Sequence, residues 1–281
     1  MWDAGLILEG GGMRGVYTAG VLDFFLDKGA FFRRCYAVSA GACHACSYLA
    51  RQRGRAFRIS VNYLKDKRYC GIYSLVTTGN LFGTEMVYDL IPNQLDPFDH
   101  EAFEKSETEF YITVTNCRAG APEYVRAREI RAGVDLVRAS SSLPLVSQMV
   151  ELGGQLYLDG GVSDSIPIRR SVADGQARNV VILTQDPSYR KKPNRLIPLF
   201  HLRYRRYPAL VARAAERHSR YNETLDFIRR EEEAGRAFVI QPRRPVGIRR
   251  IEKNRAKLTA LYEEGYRDGE ASWDRLLAFL S

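Results

Sequence analysis

Gly10-Gly11-Gly12-Met13-Arg14-Gly15 follows the apolar run Gly5-Leu6-Ile7-Leu8 and leads into a helix-like segment over residues 16–26. A strand that breaks into glycines and then into a helix builds an anion cradle. The glycines permit a tight turn, and the unpaired N–H groups of the helix start point at a negative charge. The spacing matches G-x-G-x-x-G, the pattern of a dinucleotide site. The rest of the chain decides whether the anion is a cofactor phosphate or an oxyanion made during a reaction. About 20 residues past the glycines stand Arg33-Arg34, and no acidic residue closes the strand there, so the ribose contact of a dinucleotide fold is missing.

Working outward, β-branched, aromatic or apolar runs predict strands at residues 6–8, 35–38, 110–116, 155–158, 179–184 and 238–241. Helices are expected at 16–28, closed by Lys28-Gly29, at 40–52, where small residues suit tight packing on a sheet, and at 134–141, ahead of Leu143-Pro144. This alternation predicts an α/β fold with a mostly parallel central sheet. Tyr189-Arg190-Lys191-Lys192-Pro193-Asn194 marks a boundary in composition. Beyond it, residues 208–234 and 250–280 read as long amphipathic helices. Leu258, Leu261, Tyr262 and Tyr266, and then Leu276, Leu277 and Leu280, fall at helical spacing and are expected to pack against the core sheet.

The 281 residues suffice for one large domain with an extension. The net charge of +9 is unevenly placed: from Ser188 onward stand 22 Lys/Arg against 12 Asp/Glu, and the earlier part is close to neutral. A basic face attracts anionic lipid headgroups or nucleic acid, and it also reads as a solvated helical surface. No apolar run approaches the ~18 residues of a membrane span. Met1-Trp2-Asp3 lacks a basic and then apolar leader, so export is not expected. Five scattered cysteines, an odd number, read as reduced thiols of a cytoplasmic protein.

Two further stretches carry chemistry. Ala37-Val38-Ser39-Ala40-Gly41 follows a short strand and opens a helix, the context of a nucleophile elbow, with small residues where strand and helix approach. Ala37 stands where that motif has glycine. Asp159-Gly160-Gly161 places a carboxylate at a strand end, with two glycines that leave it uncrowded; alone it reads as an ordinary turn.

Taken in order, the glycine loop, the elbow serine and Asp-Gly-Gly resemble the patatin-like phospholipases, a family with a three-layer α/β/α fold and a Ser–Asp dyad. Ala139-Ser140-Ser141-Ser142-Leu143-Pro144, Ile166-Pro167 and Val180-Val181-Ile182-Leu183-Thr184 also fit. The Tyr189-Arg190-Lys191 that follows looks like a bacterial subgroup with a helical C-terminal extension. The resemblance implies a catalytic domain over residues 1–192 and a basic, mainly helical extension over 193–281. It implies Ser39 as nucleophile, Asp159 as proton acceptor, and Gly10, Gly11, Gly12, Met13, Arg14 and Gly15 as the oxyanion loop. Ala37, Gly41, Gly160 and Gly161 would support the two motifs. The activity implied is hydrolysis of lipid esters through an acyl-enzyme, without cofactor or metal; the alternatives are acyl transfer with the same dyad, or a membrane- or RNA-binding module in which the dyad is vestigial. The expected partners are a lipid or acyl-ester substrate and, through the basic third, an anionic membrane surface at the inner face. Nucleic acid is the less favoured partner.

His44 is expected to point away from Ser39, and His100, His201 and His218 carry no motif, so a Ser-His-Asp triad is disfavoured. Cys43-His44-Ala45-Cys46 lacks a second ligand pair and reads as small buried helix residues. Residues 69–82, glycine-containing and partly apolar, are the expected lid or substrate wall.

Overall fold

The computed structural model describes residues 1–128 and 134–281. In chain order the elements are β1 (Trp2–Leu8), α1 (Val16–Asp27), β2 (Phe32–Val38), α2 (Ala40–Leu49), α3 (Arg55–Asn62), α4 (Ile72–Thr78), α5 (His100–Glu104), β3 (Glu109–Asn116), β4 (Ala121–Ala127), α6 (Val134–Ser141), β5 (Val150–Leu152), β6 (Gln155–Asp159), α7 (Ile168–Ala173), β7 (Asn179–Ile182), α8 (Ile197–Arg203), α9 (Pro208–Glu233), β8 (Ala237–Ile240) and α10 (Arg255–Leu280). A 3-10 turn occupies Gly12–Gly15, a second Gly160–Val162, and a π-helical stretch Met86–Leu95.

Alternation along the central strands makes three layers. Ala4, Leu6 and Leu8 of β1 and Val180 and Ile182 of β7 face one core, shared with α1, α2 and α10. Ile7, Val181 and Leu183 face the other way, onto Ile168 of α7 and Tyr221 and Ile228 of α9. A parallel sheet covered on both faces needs such near-continuous apolar strands. The order is β5-β6-β3-β2-β1-β7-β8, with β4 also paired to β3. The run β3-β2-β1-β7-β8 is parallel, whereas β4, β6 and β5 join antiparallel. The fold is thus α/β with a mostly parallel sheet between helical layers. β7 is shorter than the run 179–184 implies, because Thr184 turns its N–H to the Glu9 carboxylate (2.6 Å).

One detail of register positions everything else. β4 pairs with β3 from Phe110 to Asn116 and occupies that edge. β2 and β6 therefore share the opposite edge. β2 runs parallel to β3 and ends with Val38 beside Thr113, while β6 runs antiparallel and ends with Asp159 beside Val114. The two strands approach head-on and stop at adjacent rungs.

The stripe on α10, expected to pack on the sheet, packs chiefly on α1 instead. Leu258, Leu261, Leu276 and Leu280 are buried there, with Tyr262 and Tyr266 packed against the same core. The two backbones nearly touch: a Cβ on Gly20 would lie 2.1 Å from the Tyr262 carbonyl oxygen, and one on Gly265 2.1 Å from that of Tyr17. Tyr17 and Tyr262 donate hydrogen bonds to Asp268 (2.9 Å) and Asp23 (2.7 Å) across the contact. At its far end α10 reaches the sheet, where Phe279 meets Phe238 of β8. Among the described residues, no helix is long and apolar enough to cross a membrane.

Candidate active site

Ser39 follows β2 directly and caps α2 with φ 54° and ψ −125°. A non-glycine residue there costs about 1–3 kcal/mol, sustained only where the surroundings hold it. The restraint is visible. The Ser39 N–H donates to the Ser140 hydroxyl oxygen (2.8 Å), and that hydroxyl donates to the Thr113 carbonyl (2.7 Å). Ala37 is fully buried between Leu8 and Ile112, so its methyl group joins the apolar core. Gly41 lets α2 approach the end of β1, since a Cβ there would stand 2.8 Å from the Leu8 carbonyl oxygen.

The head-on strand ends bring Asp159 to Ser39. The Ser39 hydroxyl donates to Asp159 Oδ2 (2.7 Å), and the Gly161 N–H donates to Oδ1 (2.7 Å). Gly160 lies against the Thr113 carbonyl in the same turn. Asp159 is only 4% exposed. Burial pushes its pKa above the usual carboxylate range, against the lowering effect of the Ser39 hydroxyl, Arg217, the Gly161 N–H and Arg250. Such a carboxylate is a better base toward a hydroxyl than one in water.

The glycine loop lies over the serine; a Cβ on Gly10 would be 3.1 Å from that of Ser39. Its N–H groups are not equivalent. Gly10 donates to the Ser165 carbonyl (3.3 Å) and Met13 to the Arg250 carbonyl (3.0 Å). Gly11 and Gly12 begin the 3-10 turn, and among the described residues neither N–H has an acceptor. Gly12 has φ +58°, and a Cβ there would meet the Arg250 carbonyl oxygen at 2.7 Å. Arg14 is half-buried, and its Nε is buried without a partner. Gly15 packs on the His44 ring.

No histidine joins the pair. His44 does not point away from the site as expected. It lines a small cavity together with Ser39, but hydrogen-bonds to neither Ser39 nor Asp159, and burial lowers its pKa to about 4, leaving it neutral. His218 bonds to the Ala215 carbonyl and Ser219, His201 lies exposed on α8, and His100 on α5 packs against Phe98. The five cysteines are unpaired. Among the described residues, no group of three or more His, Cys, Asp or Glu is placed to hold a metal ion.

Two cavities flank the Ser39–Asp159 bond. The Ser39 side opens on an apolar cavity of about 120 Å³ walled by Ile59, Tyr69, Phe82, Val87 and Tyr88, so the ends of segment 69–82 form part of its wall. The Asp159 side opens on a cavity of about 930 Å³ that also meets Lys191, Arg217 and Arg250. Arg217 and Arg250, with Glu9 and Tyr221, are absent from the motif reading, and Lys191 enters it only within Tyr189-Arg190-Lys191 and with no role at the site. Arg217 of α9 donates through Nε to the Gly161 carbonyl and through Nη2 to Ser165 (3.3 Å). One helical turn on, Tyr221 donates to Glu9 (2.6 Å), at the start of the glycine loop. The i, i+4 spacing of Arg217 and Tyr221 on one helix face is the local signal for this clamp.

A three-layer α/β sandwich with a strained serine, a buried aspartate and a glycine loop defines the class. The chain belongs to the patatin-like phospholipase family, whose description matches residues 6–171. A second description, a domain of unknown function (DUF6363), matches residues 207–281. The chain is similar to the uncharacterized protein YjjU of Escherichia coli (strain K12), 29% identical over 253 residues, covering 86% of this chain and 69% of that protein. It is also similar to the probable lipid hydrolase 463L of Invertebrate iridescent virus 6, 24% identical over 182 residues, covering 58% of this chain and 61% of that protein. The chain thus spans roughly two thirds of these relatives. Among solved structures, VipD from Legionella pneumophila aligns with 97% of this chain and 67% of its own, at 12% identity and a TM-score of 0.47.

Proposed function

We propose that the chain is a serine acyl hydrolase of lipid esters, with Ser39 as nucleophile, Asp159 as proton acceptor and the N–H groups of Gly11 and Gly12 as oxyanion donors. The observation that carries this reading is the 2.7 Å hydrogen bond from Ser39 Oγ to Asp159 Oδ2, in a pair that no histidine completes. Family membership and the naming of one relative as a probable lipid hydrolase support it.

Asp159 takes the hydroxyl proton as Ser39 Oγ attacks the ester carbonyl, whose oxygen becomes the oxyanion. Of the six loop residues, Gly11 and Gly12 hold the free donors; the N–H groups of Gly10 and Met13 are spent on carbonyls that shape the loop. Collapse of the tetrahedral species returns the proton to the departing alcohol and leaves an acyl-Ser39 ester. Water, deprotonated by Asp159, then releases the fatty acid and restores the hydroxyl. The apolar cavity beside Ser39 takes the acyl chain.

Docking at a lipid surface fits the rim of the larger cavity. Ile72 and Val76 of α4 are 80% and 78% exposed, and Leu202 of α8 is 76% exposed. Both helices flank the strap that carries Leu145 and Val146: the Leu81 N–H, just past α4, donates to the Val146 carbonyl, and the Leu145 N–H donates to Tyr204 at the end of α8. Cationic Lys192 and Arg195 lie on the same rim, the pairing of apolar and basic groups that binds an anionic membrane. The test of the hydrolase reading is covalent labelling by a fluorophosphonate. The wild-type chain is expected to be labelled at Ser39, and the folded Ser39→Ala chain to be neither labelled nor active; labelling elsewhere, or undiminished hydrolysis, refutes the assignment.

A further inference from the structure

The larger cavity is lined by more cations than carboxylates: Arg190 pairs with Asp226, and Asp159 and Asp186 stand on the same wall as Lys191, Arg217 and Arg250. Among the described residues, Arg14, Lys191, Arg217 and Arg250 form no ion pair with a carboxylate. The carboxylates at the site are already engaged, Asp186 by the N–H and hydroxyl of Ser188. Glu9 accepts from Thr184 and Tyr221, and Asp159 accepts from Ser39 and Gly161. Lys191 rests its side-chain nitrogen 3.9 Å from the Tyr221 ring centroid and, among the described residues, has no carboxylate partner. Burial, with repulsion from Arg217, Arg250 and Arg14, lowers its pKa to about 6. Lys191 and Arg217 are half-buried and Arg250 is exposed, and the repulsion among cations gathered at one cavity is relieved when an anion enters.

The geometry identifies the kind of anion. Arg217 is clamped through Nε and Nη2, which leaves Nη1 for a ligand. A fixed guanidinium, a second arginine and the Lys191 amine, which an entering anion would draw into its protonated form, suit the several oxygens of a phosphate better than the two of a carboxylate. The cavity also lies on the Asp159 side of the dyad, opposite the apolar cavity that Ser39 lines. An ester bound with its acyl chain in the apolar cavity would project its alcohol into the cationic one.

We propose that Lys191, Arg217 and Arg250 form a phosphate site that selects lipid esters whose alcohol carries a phosphate group, such as acylglycerol phosphates. The substrate assignment rests on the hydrolase reading; the anion site does not. All three side chains come from beyond the matched residues 6–171, so on this proposal the C-terminal third supplies headgroup selectivity.

The experiment compares a monoacylglycerol with the monoacylglycerol 3-phosphate of the same acyl chain. The wild-type kcat/KM is expected to be at least about tenfold higher for the phosphate ester, and this ratio should fall about tenfold in Lys191→Met and in Arg250→Met. A ratio is insensitive to partial loss of folded enzyme. Equal rates on the two esters, or a ratio that neither variant moves, overturns the proposal. If the wild type hydrolyses neither ester, the hydrolase reading has failed and binding judges the site. Glycerol 3-phosphate titrated into the full chain should then bind saturably and about tenfold more weakly in both variants. No saturable binding, or binding indifferent to both variants, overturns it. Inorganic phosphate separates the sources: if it binds more tightly than glycerol 3-phosphate while the two esters react equally, the site serves the free ion and the headgroup assignment is wrong.

Discussion

The two walls of the site are built from different parts of the chain and differ in kind. The wall beside Ser39 is aliphatic and aromatic, encloses about 120 Å³, and takes every residue from before position 144. The wall beside Asp159 bounds about 930 Å³ and draws Lys191, Arg217 and Arg250 from the C-terminal third. One side can recognise little but shape, because apolar contact is non-directional. The other is charged and can distinguish headgroups. The dyad sits on the seam, so on the proposed mechanism the ester bond is cut where these environments meet.

The largest expected effect comes from breaking the seam itself. Asp159→Asn should lower kcat by about 10⁴-fold, by analogy with losing the base of a serine enzyme. On the proposed mechanism, Asp159 acts as a carboxylate. Burial raises its pKa, so activity should be lost as pH falls through a value above the ordinary carboxylate pKa of about 3.9; a kcat–pH profile measures that limb. Gly12→Ala should come next, near 100-fold in kcat, because its φ of +58° and the Arg250 carbonyl leave no room for a methyl group and the freed N–H would be displaced. KM should move far less, which steady-state kinetics on one ester checks.

Chain length sharpens the apolar side. A cavity of about 120 Å³ is small for a long acyl chain, so a butanoyl ester should exceed a hexadecanoyl ester by about tenfold in kcat/KM. Ile59→Ala should shift the optimum toward longer chains. The smallest effect belongs to the rim. Ile72→Asp with Val76→Asp should weaken binding to anionic vesicles about three- to tenfold, with little change on a water-soluble ester; co-sedimentation measures it.

Much of the fold is legible in local pattern because the glycine loop, the elbow and Asp-Gly-Gly each meet a local requirement. The strands at 110–116 and 155–158 and the helix at 134–141 are likewise found within a residue of their places. β4 escapes because Pro122, Glu123 and Arg126 are polar or strand-averse, which an exposed edge strand tolerates. β5 is only three residues long, although the Gly153-Gly154 turn before β6, with both φ positive, is a readable hairpin signal. The stripe on α10 announces burial but not its partner; the contact with α1 depends on Gly20 and Gly265, far apart in sequence. The cationic wall is the least legible part. Lys191, Arg217 and Arg250 come from three segments of a region rich in basic residues, and what sets them apart is the cavity they share beside Asp159.

The head-on meeting of β2 and β6 has a consequence for the newborn chain. Ser39 leaves the ribosome early, but its carboxylate partner follows 120 residues later, and the clamp from Tyr221 onto Glu9 spans 212. Contacts of such separation form late and in concert, once the intervening segments have collapsed. A half-made chain therefore carries a serine without a base and a glycine loop without its brace. On the proposed mechanism, ester cleavage appears only once synthesis has passed Arg250, whose carbonyl holds the Met13 N–H, so the onset of turnover during translation would serve as a clock for closure of the site.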